Sequence, residues 1–328
     1  MKIINACVLL TFGIISLAAQ SQKTIQRFDS TLDNYLNIDA KLERLADGFK
    51  WTEGPIWVSE LQALLFSDVP NNKIYAWSAQ KGLQVFLEPS GYTGITPSAK
   101  KSGSNGLTLD DNNNLVICMQ GDRRIARLED WETKRISTVV TKFKGNYFNS
   151  PNDLVFAKNG DLYFTDPDYG LKGKNDPFRE LPFSGVFKYT PKGKLTVVIK
   201  DLTKPNGIAI SNDQKTLYVT ISDRAYPRIM AYDITAKGVK NPRVFFDGTA
   251  LIDKNLGNFD GIKIHPSGAI FSTGPGGVLI FAPNGKHLGT IATGLRTSNC
   301  AFDSNFEYLY MTAHRQLLRI KLQPITDE

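Results

Sequence analysis

The chain of 328 residues is 41% hydrophobic and 22% charged, with a formal net charge of +7 from 39 basic and 32 acidic residues. This composition is that of a globular protein and excludes a largely disordered chain. The basic residues are scattered, and the doublet Arg123-Arg124 has no interleaved aromatic residues. We therefore expect no nucleic-acid partner.

The first twenty residues have the pattern of a secretory signal. Lys2 is followed by an apolar run over residues 6–19 and then by small residues, and this run is too short to span a membrane. The pattern predicts a signal peptide at 1–20, export to the periplasm or beyond, and no stable membrane anchor after cleavage. The polar stretch at 21–38 is predicted to be a flexible N-terminal segment.

The remaining chain, residues 39–323, repeats one sequence pattern. Each copy begins with a polar corner residue, continues as an alternating strand, passes a polar turn and ends in a second apolar strand. The six copies begin with TEGPIWV at Thr52, SNGLTLD at Ser104, PNDLVFA at Pro151, PNGIAIS at Pro205, FDGIKIH at Phe259 and SNCAFDS at Ser298. Further hairpin-like stretches such as GVFKYTPKGKLTVVI lie between the copies. One repeat is therefore about four short strands in roughly fifty residues, which is typical of a propeller blade.

These repeats predict an all-β fold, a six-bladed β-propeller with four antiparallel strands per blade. No long amphipathic helix separates the strands, which argues against a stack of βαβ units. After the last copy only one clear strand follows, at 317–322, so the sixth blade is one strand short. An N-terminal strand near 41–46 is predicted to complete it, because joining the two chain ends in one blade removes the free edges of an open array.

The repeated corner position carries a polar side chain in every copy. These corner residues are Glu53, Asn105, Asn152, Asn206, Asp260 and Asn299. They are either ordinary turn formers or side chains that converge on one mouth of the central channel. Turn formation does not explain Glu53, which is a poor turn residue.

The corner residues suggest a metal site. Glu53 and Asp260 would contribute two carboxylates, and Asn152 and Asn206 two amide oxygens, which is a donor set for a hard divalent cation. The histidines lie away from the corners, so Ca²⁺ is preferred, with Mg²⁺, Mn²⁺ or Zn²⁺ as alternatives.

Other chemistries have weaker signals. The sequence contains no G-x-S-x-G elbow and no Walker or dinucleotide-binding glycine loop. Cys118 and Cys300 lie in apolar strand-like runs, which favours buried free thiols over a disulfide.

The chain resembles the gluconolactonase, senescence-marker-protein (regucalcin) and luciferin-regenerating-enzyme family. The stretches that carry the resemblance are EGPIW, SPNDLVFAKNGDLYFTDPDYG, KPNGIAIS and FDGIKIHPSGAIFSTG, within about residues 40–322. Within this family the chain resembles the bacterial gluconolactonases most, in the stretches TDPDYG and RELPFSGVFKY.

The resemblance implies a six-bladed propeller with one divalent metal ion in its channel, and hydrolysis of a small-molecule sugar lactone. It places Glu53, Asn152, Asn206 and Asp260 at the metal, with Asp260 also the general base. Asn105 and Arg123 would contact the substrate. The chain departs from the family in CMQGDRRI, where Gln120 and Asp122 replace acidic and Asn-type residues.

The mechanism expected from these residues is metal-assisted hydrolysis, in which Asp260 takes the proton of the attacking water. Asn152 and Tyr169 would contact sugar hydroxyls. Two alternatives remain open: the same site acting on another ester or an organophosphate, and an exported propeller that binds a ligand without turnover.

Overall fold

The structure is a computed structural model that describes residues 24–98, 100–173, 175–200 and 202–325. The predicted signal peptide at 1–20 and residues 21–23 lie outside the described residues. Nearly all regular structure in the described ranges is β. No helix there has the length and hydropathy needed to cross a membrane.

The strands of the first half follow in chain order. Two strands precede the first sheet: β1 (Ile25–Arg27) and β2 (Glu43–Asp47). The first sheet contains β3 (Thr52–Val58), β4 (Ala63–Asp68), β5 (Lys73–Ser78) and β6 (Gly82–Leu87). The second contains β7 (Ser104–Leu109), β8 (Leu115–Met119), β9 (Arg124–Leu128) and β10 (Ile136–Val140). A small hairpin, β11 (Lys142–Phe143) and β12 (Asn146–Tyr147), is followed by β13 (Leu154–Phe156), β14 (Leu162–Asp166), β15 (Gly185–Tyr189) and β16 (Leu195–Ile199).

The second half continues the pattern. The fourth sheet contains β17 (Pro205–Ile210), β18 (Thr216–Ile221), β19 (Arg228–Thr235) and β20 (Gly238–Asp247). The short helix α1 (Thr249–Ile252) precedes β21 (Ile262–Ile264), β22 (Ile270–Gly274), β23 (Gly277–Phe281) and β24 (His287–Ala292). The last strands are β25 (Thr297–Phe302), β26 (Tyr308–Ala313) and β27 (Gln316–Lys321), and three 3₁₀ turns cover Ser30–Asn34, Ser59–Leu61 and Val69–Asn71.

The described strands form six antiparallel blades, which confirms the predicted propeller. The first strand of each blade contacts the first strand of the next, and β25 contacts β3, so these inner strands form a closed ring. The middle strands are buried on both faces, which explains continuous apolar runs such as Leu115–Met119.

The hydrophobic core is divided into six layers, one between each pair of neighbouring blades. Cys118 lies between the second and third blades, and Cys300 lies between the fifth and sixth. Both thiols are buried and free, as predicted, because different layers keep them apart.

The ring is closed by the predicted N-terminal strand. Strand β2 pairs antiparallel with β27, and Glu43 lies opposite Arg319. The Arg319 guanidinium also binds the Glu43 carboxylate at 2.8 Å. The observed strand begins two residues later than the predicted start at 41, and it completes the sixth blade.

Residues 24–38 differ from the predicted flexible segment. Strand β1 adds a fifth, outer strand to the fifth blade by pairing with β24, where Ile25 lies opposite Ile291. Leu32 and Leu36 are each 1% exposed and pack in the layer between the fifth and sixth blades. The sequence signal was weak because these apolar residues are dispersed among polar ones.

We expect closure of the ring to contribute more to stability than the outer strand. A chain beginning at residue 39 loses β1, whereas one beginning at residue 48 also loses β2 and leaves the edge of β27 unpaired. Urea unfolding followed by circular dichroism should show a much lower midpoint for the shorter chain. Equal midpoints for the two truncated chains would contradict closure through β2.

Candidate active site

The corner residues stand at or just before the start of the inner strands, at one end of the channel. Glu53, Asn105 and Asn206 are each 5% exposed, and Asn152 is 3% exposed. In four blades the pairing of the first two strands shifts register at this point, for example between Glu53 and Ile56. Such a bulge turns a side chain away from its ordinary direction, here towards the channel.

A glycine follows the corner residue in four copies because the next blade approaches closely. A Cβ on Gly207 would lie 2.2 Å from the carbonyl oxygen of Asp260, and one on Gly54 would lie 2.2 Å from that of Asn105. Only Gly54 of these four glycines has a positive φ. Close approach rather than turn conformation therefore accounts for all three corner Asn-Gly and Asp-Gly pairs.

The corner carbonyls are held by the preceding blade. The Gly207 amide donates to the Asp260 carbonyl at 3.0 Å, and the Gly106 amide donates to the Asn152 carbonyl at 2.7 Å. The Thr165 hydroxyl donates to the Asn206 carbonyl at 2.7 Å. These bonds connect the blades and fix where each corner side chain begins.

Five corner residues surround a cavity of about 300 Å³ at this mouth. Asn299 is the corner residue that does not line it. The lining residues are Trp51, Glu53, Val69, Lys100, Asn105, Gln120, Asn152, Tyr169, Asn206, Ser222, Asn258 and Asp260. The structure thus brings together all four residues predicted for the metal, and also Asn105 and Tyr169.

Arg123 does not line the cavity, contrary to its expected role as a substrate contact. Its side chain is buried, with Nε donating to the Phe148 carbonyl at 2.6 Å and Nη1 binding Glu180 at 3.3 Å. These contacts anchor the second blade to the segment before the third blade and to the loop between β14 and β15. Sequence alone does not show which carbonyls will accept from an arginine so far away in the chain.

Gln120 is a site residue whose role follows from its contacts. It accepts a hydrogen bond from the Asn105 amide at 3.1 Å and donates to the Ser102 hydroxyl at 2.8 Å. The Asn105 amide nitrogen is thereby occupied, which leaves the side-chain oxygen for a ligand. Asp122, the other departure from the family pattern, is fully buried and binds Thr93 outside the cavity.

The carboxylates of Glu53 and Asp260 both line this cavity. Burial is the main cause that raises the pKa of Glu53 to about 8, and the nearby Asp153 raises it further. Burial, then Glu53, raises the pKa of Asp260 well above its ordinary value. The Trp51 indole donates to Glu53 at 2.9 Å and opposes the shift in Glu53.

One oxygen of Asp260 lacks a partner. Its Oδ1 is buried and makes no hydrogen bond within the described part of the protein. Burying a carboxylate oxygen without a compensating interaction is unfavourable. A positive charge in the cavity would supply the missing interaction.

A lysine in the channel compensates part of this negative charge. The Lys263 ammonium donates to the Asn299 side-chain oxygen at 3.0 Å, and the Asn299 amide donates to Asp153 at 3.4 Å. The charge of Lys263 lowers the pKa of both Glu53 and Asp260, although burial outweighs it. Asn299, the sixth corner residue, therefore connects a lysine to a carboxylate.

Tyr169 closes one side of the cavity. Burial raises the pKa of its phenol well above the ordinary value, so the hydroxyl stays neutral and able to donate. The Lys100 ammonium donates to its carbonyl oxygen at 2.6 Å. Asp168, the preceding residue, binds Arg179 at 3.2 Å.

The donor set contains few classical metal ligands. No group of three or more His, Cys, Asp or Glu side chains is placed to hold a metal ion in the described ranges. The cavity offers two carboxylates and several amide oxygens, with no imidazole or thiolate. Such oxygen donors suit a hard cation rather than zinc.

Comparison with known proteins identifies the family. A model of the SMP-30/Gluconolactonase/LRE-like region matches residues 51–315. The chain belongs to this family. A gluconolactonase of Zymomonas mobilis is 37% identical over 305 residues, covering 90% of this chain and 85% of that protein.

Solved structures agree with the fold. A gluconolactonase from Xanthomonas campestris superposes with a TM-score of 0.80 at 29% identity, over 91% of this chain and 94% of that one. A regucalcin from Agrobacterium tumefaciens, described as calcium-binding, has a TM-score of 0.68 over 88% of this chain and 96% of that one. At 17% identity the regucalcin supports the fold alone.

We predict that the corner glycines are needed for both stability and site geometry. Gly207→Ala should lower the free energy of unfolding by more than about 2 kcal/mol, because its Cβ overlaps the Asp260 carbonyl. Gly82→Ala is the control, since Gly82 has open space and only an unfavourable positive φ, which costs about 1–2 kcal/mol. Denaturant unfolding of both variants measures the difference, and an equal or smaller loss in Gly207→Ala would contradict the close approach.

Proposed function

We propose that the protein hydrolyses a sugar lactone in the corner cavity with the help of one divalent cation, most suitably Ca²⁺. Membership of the family and the similarity to the Zymomonas gluconolactonase support lactone hydrolysis. The observation that carries the cation is the unpartnered, buried Oδ1 of Asp260 beside the second carboxylate, Glu53.

The residues that would hold the cation are Glu53, Asn152, Asn206 and Asp260. The Asn206 amide nitrogen donates to the Ser222 hydroxyl at 3.0 Å, so its side-chain oxygen is the atom left for the cavity. Two carboxylates would neutralise the charge of a divalent cation, and neutral amides complete an oxygen shell without excess negative charge.

The cation, when bound, would supply positive charge that polarises the lactone carbonyl and stabilises the negative charge developing on its oxygen. Asp260 is assigned the general base, because a carboxylate has a second oxygen that can accept the proton of the attacking water. Asn105, oriented by Gln120, and the neutral Tyr169 hydroxyl would bind sugar hydroxyls. Trp51 lines the cavity and its indole donates to Glu53, which holds that carboxylate in place.

The proposals on export and on alternative functions rest on the sequence. Export to the periplasm or beyond rests on the pattern in residues 1–20. Another ester or an organophosphate as substrate, and binding without turnover, remain the alternatives that the experiments below distinguish.

Glu53→Gln should weaken Ca²⁺ binding by at least about tenfold, since it removes one of two neutralising charges while keeping the side-chain size. Titration calorimetry with CaCl₂ measures the affinity. Glu60→Gln is the matched control, because Glu60 is exposed just beyond the opposite end of the same strand. Equal affinity in wild type and Glu53→Gln would place the cation elsewhere.

Asp260→Asn should lower lactone hydrolysis by about 10²–10⁴-fold, because an amide cannot accept the proton of the attacking water. Turnover of glucono-1,5-lactone is followed by acid release, with the cation content of the same sample measured. Asp213→Asn, at an exposed turn between β17 and β18, is the control.

Near-native turnover by cation-loaded Asp260→Asn would remove Asp260 as the base. Hydrolysis of aryl esters or phosphotriesters in place of lactones would favour the first alternative. If cation-loaded wild type hydrolyses none of these substrates, the result would favour a propeller that binds a ligand without turnover.

A further inference from the structure

A second cavity, of about 620 Å³, adjoins the proposed active site. The two cavities share Trp51, Asn258 and Asp260, so a ligand at Asp260 can extend from one into the other. The outer wall is formed by Ile252 at the end of α1, by the segment that follows it up to Asn258, and by the start of β25. The inner cavity of about 300 Å³ is at the small end for ligand sites, so the outer one provides room for a further substituent.

Two arginines line this outer cavity, Arg224 and Arg296. The Arg224 guanidinium is held by the Ile252 carbonyl at 3.0 Å and the Asn258 side chain at 3.2 Å. It also binds Asp253 at 3.3 Å, but the Asp253 side chain is 90% exposed, so water screens that pair strongly.

Arg296 is not neutralised by the protein. Within the described ranges its side chain makes no ion pair and no hydrogen bond, although it lines the cavity. Two acidic residues line the same cavity. Asp253 pairs with Arg224, and Asp260 is assigned to the proposed cation. The outer cavity therefore has one guanidinium held in place and a second one free to bind a ligand.

We propose that the outer cavity binds an anionic substituent of the substrate, so that the preferred lactone carries a carboxylate or a phosphate away from its ring ester. This inference rests on the proposed lactone hydrolysis. A guanidinium presents paired N–H donors that match the oxygens of either anion. Contacts to a remote anionic group would hold the lactone carbonyl at Asp260 and contribute binding energy without taking part in bond breaking.

The test compares three lactones on the cation-loaded full-length enzyme. They are neutral glucono-1,5-lactone, its 6-phosphate, and a glucaric acid lactone that carries a carboxylate at the same end. Wild type is expected to show a kcat/KM at least about tenfold higher for one of the anionic lactones, since one charged contact contributes about that much. The better of the two identifies phosphate or carboxylate as the recognised group.

Arg296→Gln should raise KM for the preferred anionic lactone at least about tenfold while leaving the neutral lactone within about twofold, and Arg296→Lys should restore part of the loss. Arg243→Gln is the matched control, because Arg243 is a half-exposed arginine that binds Asp233 on the outer strands of the fourth blade. Added salt should reduce the preference of wild type for the anionic lactone.

Equal kcat/KM for neutral and anionic lactones in wild type, or an equal loss on all three in Arg296→Gln, would overturn the proposal. Hydrolysis of the neutral lactone alone would support the proposed function and still reject the anion site. If no lactone is hydrolysed, calorimetry with 6-phosphogluconate decides: weaker binding to Arg296→Gln than to wild type supports the anion site, and no difference rejects it.

Discussion

The contact on which the other features depend is the close approach of neighbouring inner strands. At Gly54, Gly106 and Gly207 the carbonyl oxygen of the next corner residue lies where a Cβ would stand, so glycine is required there. At Gly261 the side chain of Asn299 occupies that position. The same contact supplies hydrogen bonds between blades, such as Gly207 to Asp260. These contacts hold the backbone at the corners, and five of the six corner side chains line one cavity at the channel mouth.

Crowding polar side chains in the channel has an electrostatic cost. Burial is the main cause that raises the pKa of both Glu53 and Asp260. The charge of Asp153 adds to both shifts, and the charge of Glu53 adds to that of Asp260. The protein compensates part of this with the Trp51 indole and the Lys263 ammonium, which reaches the cluster through Asn299. Within the described residues Oδ1 of Asp260 still has no partner, and this is the imbalance that the proposed cation would relieve.

Features that recur in every blade could be predicted from the sequence, whereas contacts made in one blade only could not. Alternation and the corner positions recur six times, so the blade count, the closing strand and four converging ligand candidates could be found from the pattern. The prediction for Arg123 was wrong because the carbonyls at 147–148 that accept from its guanidinium reach it only in the folded protein. Burial of Leu32 and Leu36 was missed because two apolar residues in a polar stretch have no periodicity, and their partners lie some 250 residues away.

The position of a residue relative to the ring also determines whether its substitution affects one property of the protein or several. A corner residue is attached to backbone that holds two blades together, so altering it is expected to change stability together with the proposed cation binding and chemistry. Arg296 is exposed and supports no other residue in the described structure, so its removal changes mainly what the outer cavity can bind. In the proposed function the corner residues of the ring carry the reaction, whereas the segments at 224, 252–258 and 296 select the substrate. Trp51, Asn258 and Asp260 line both cavities.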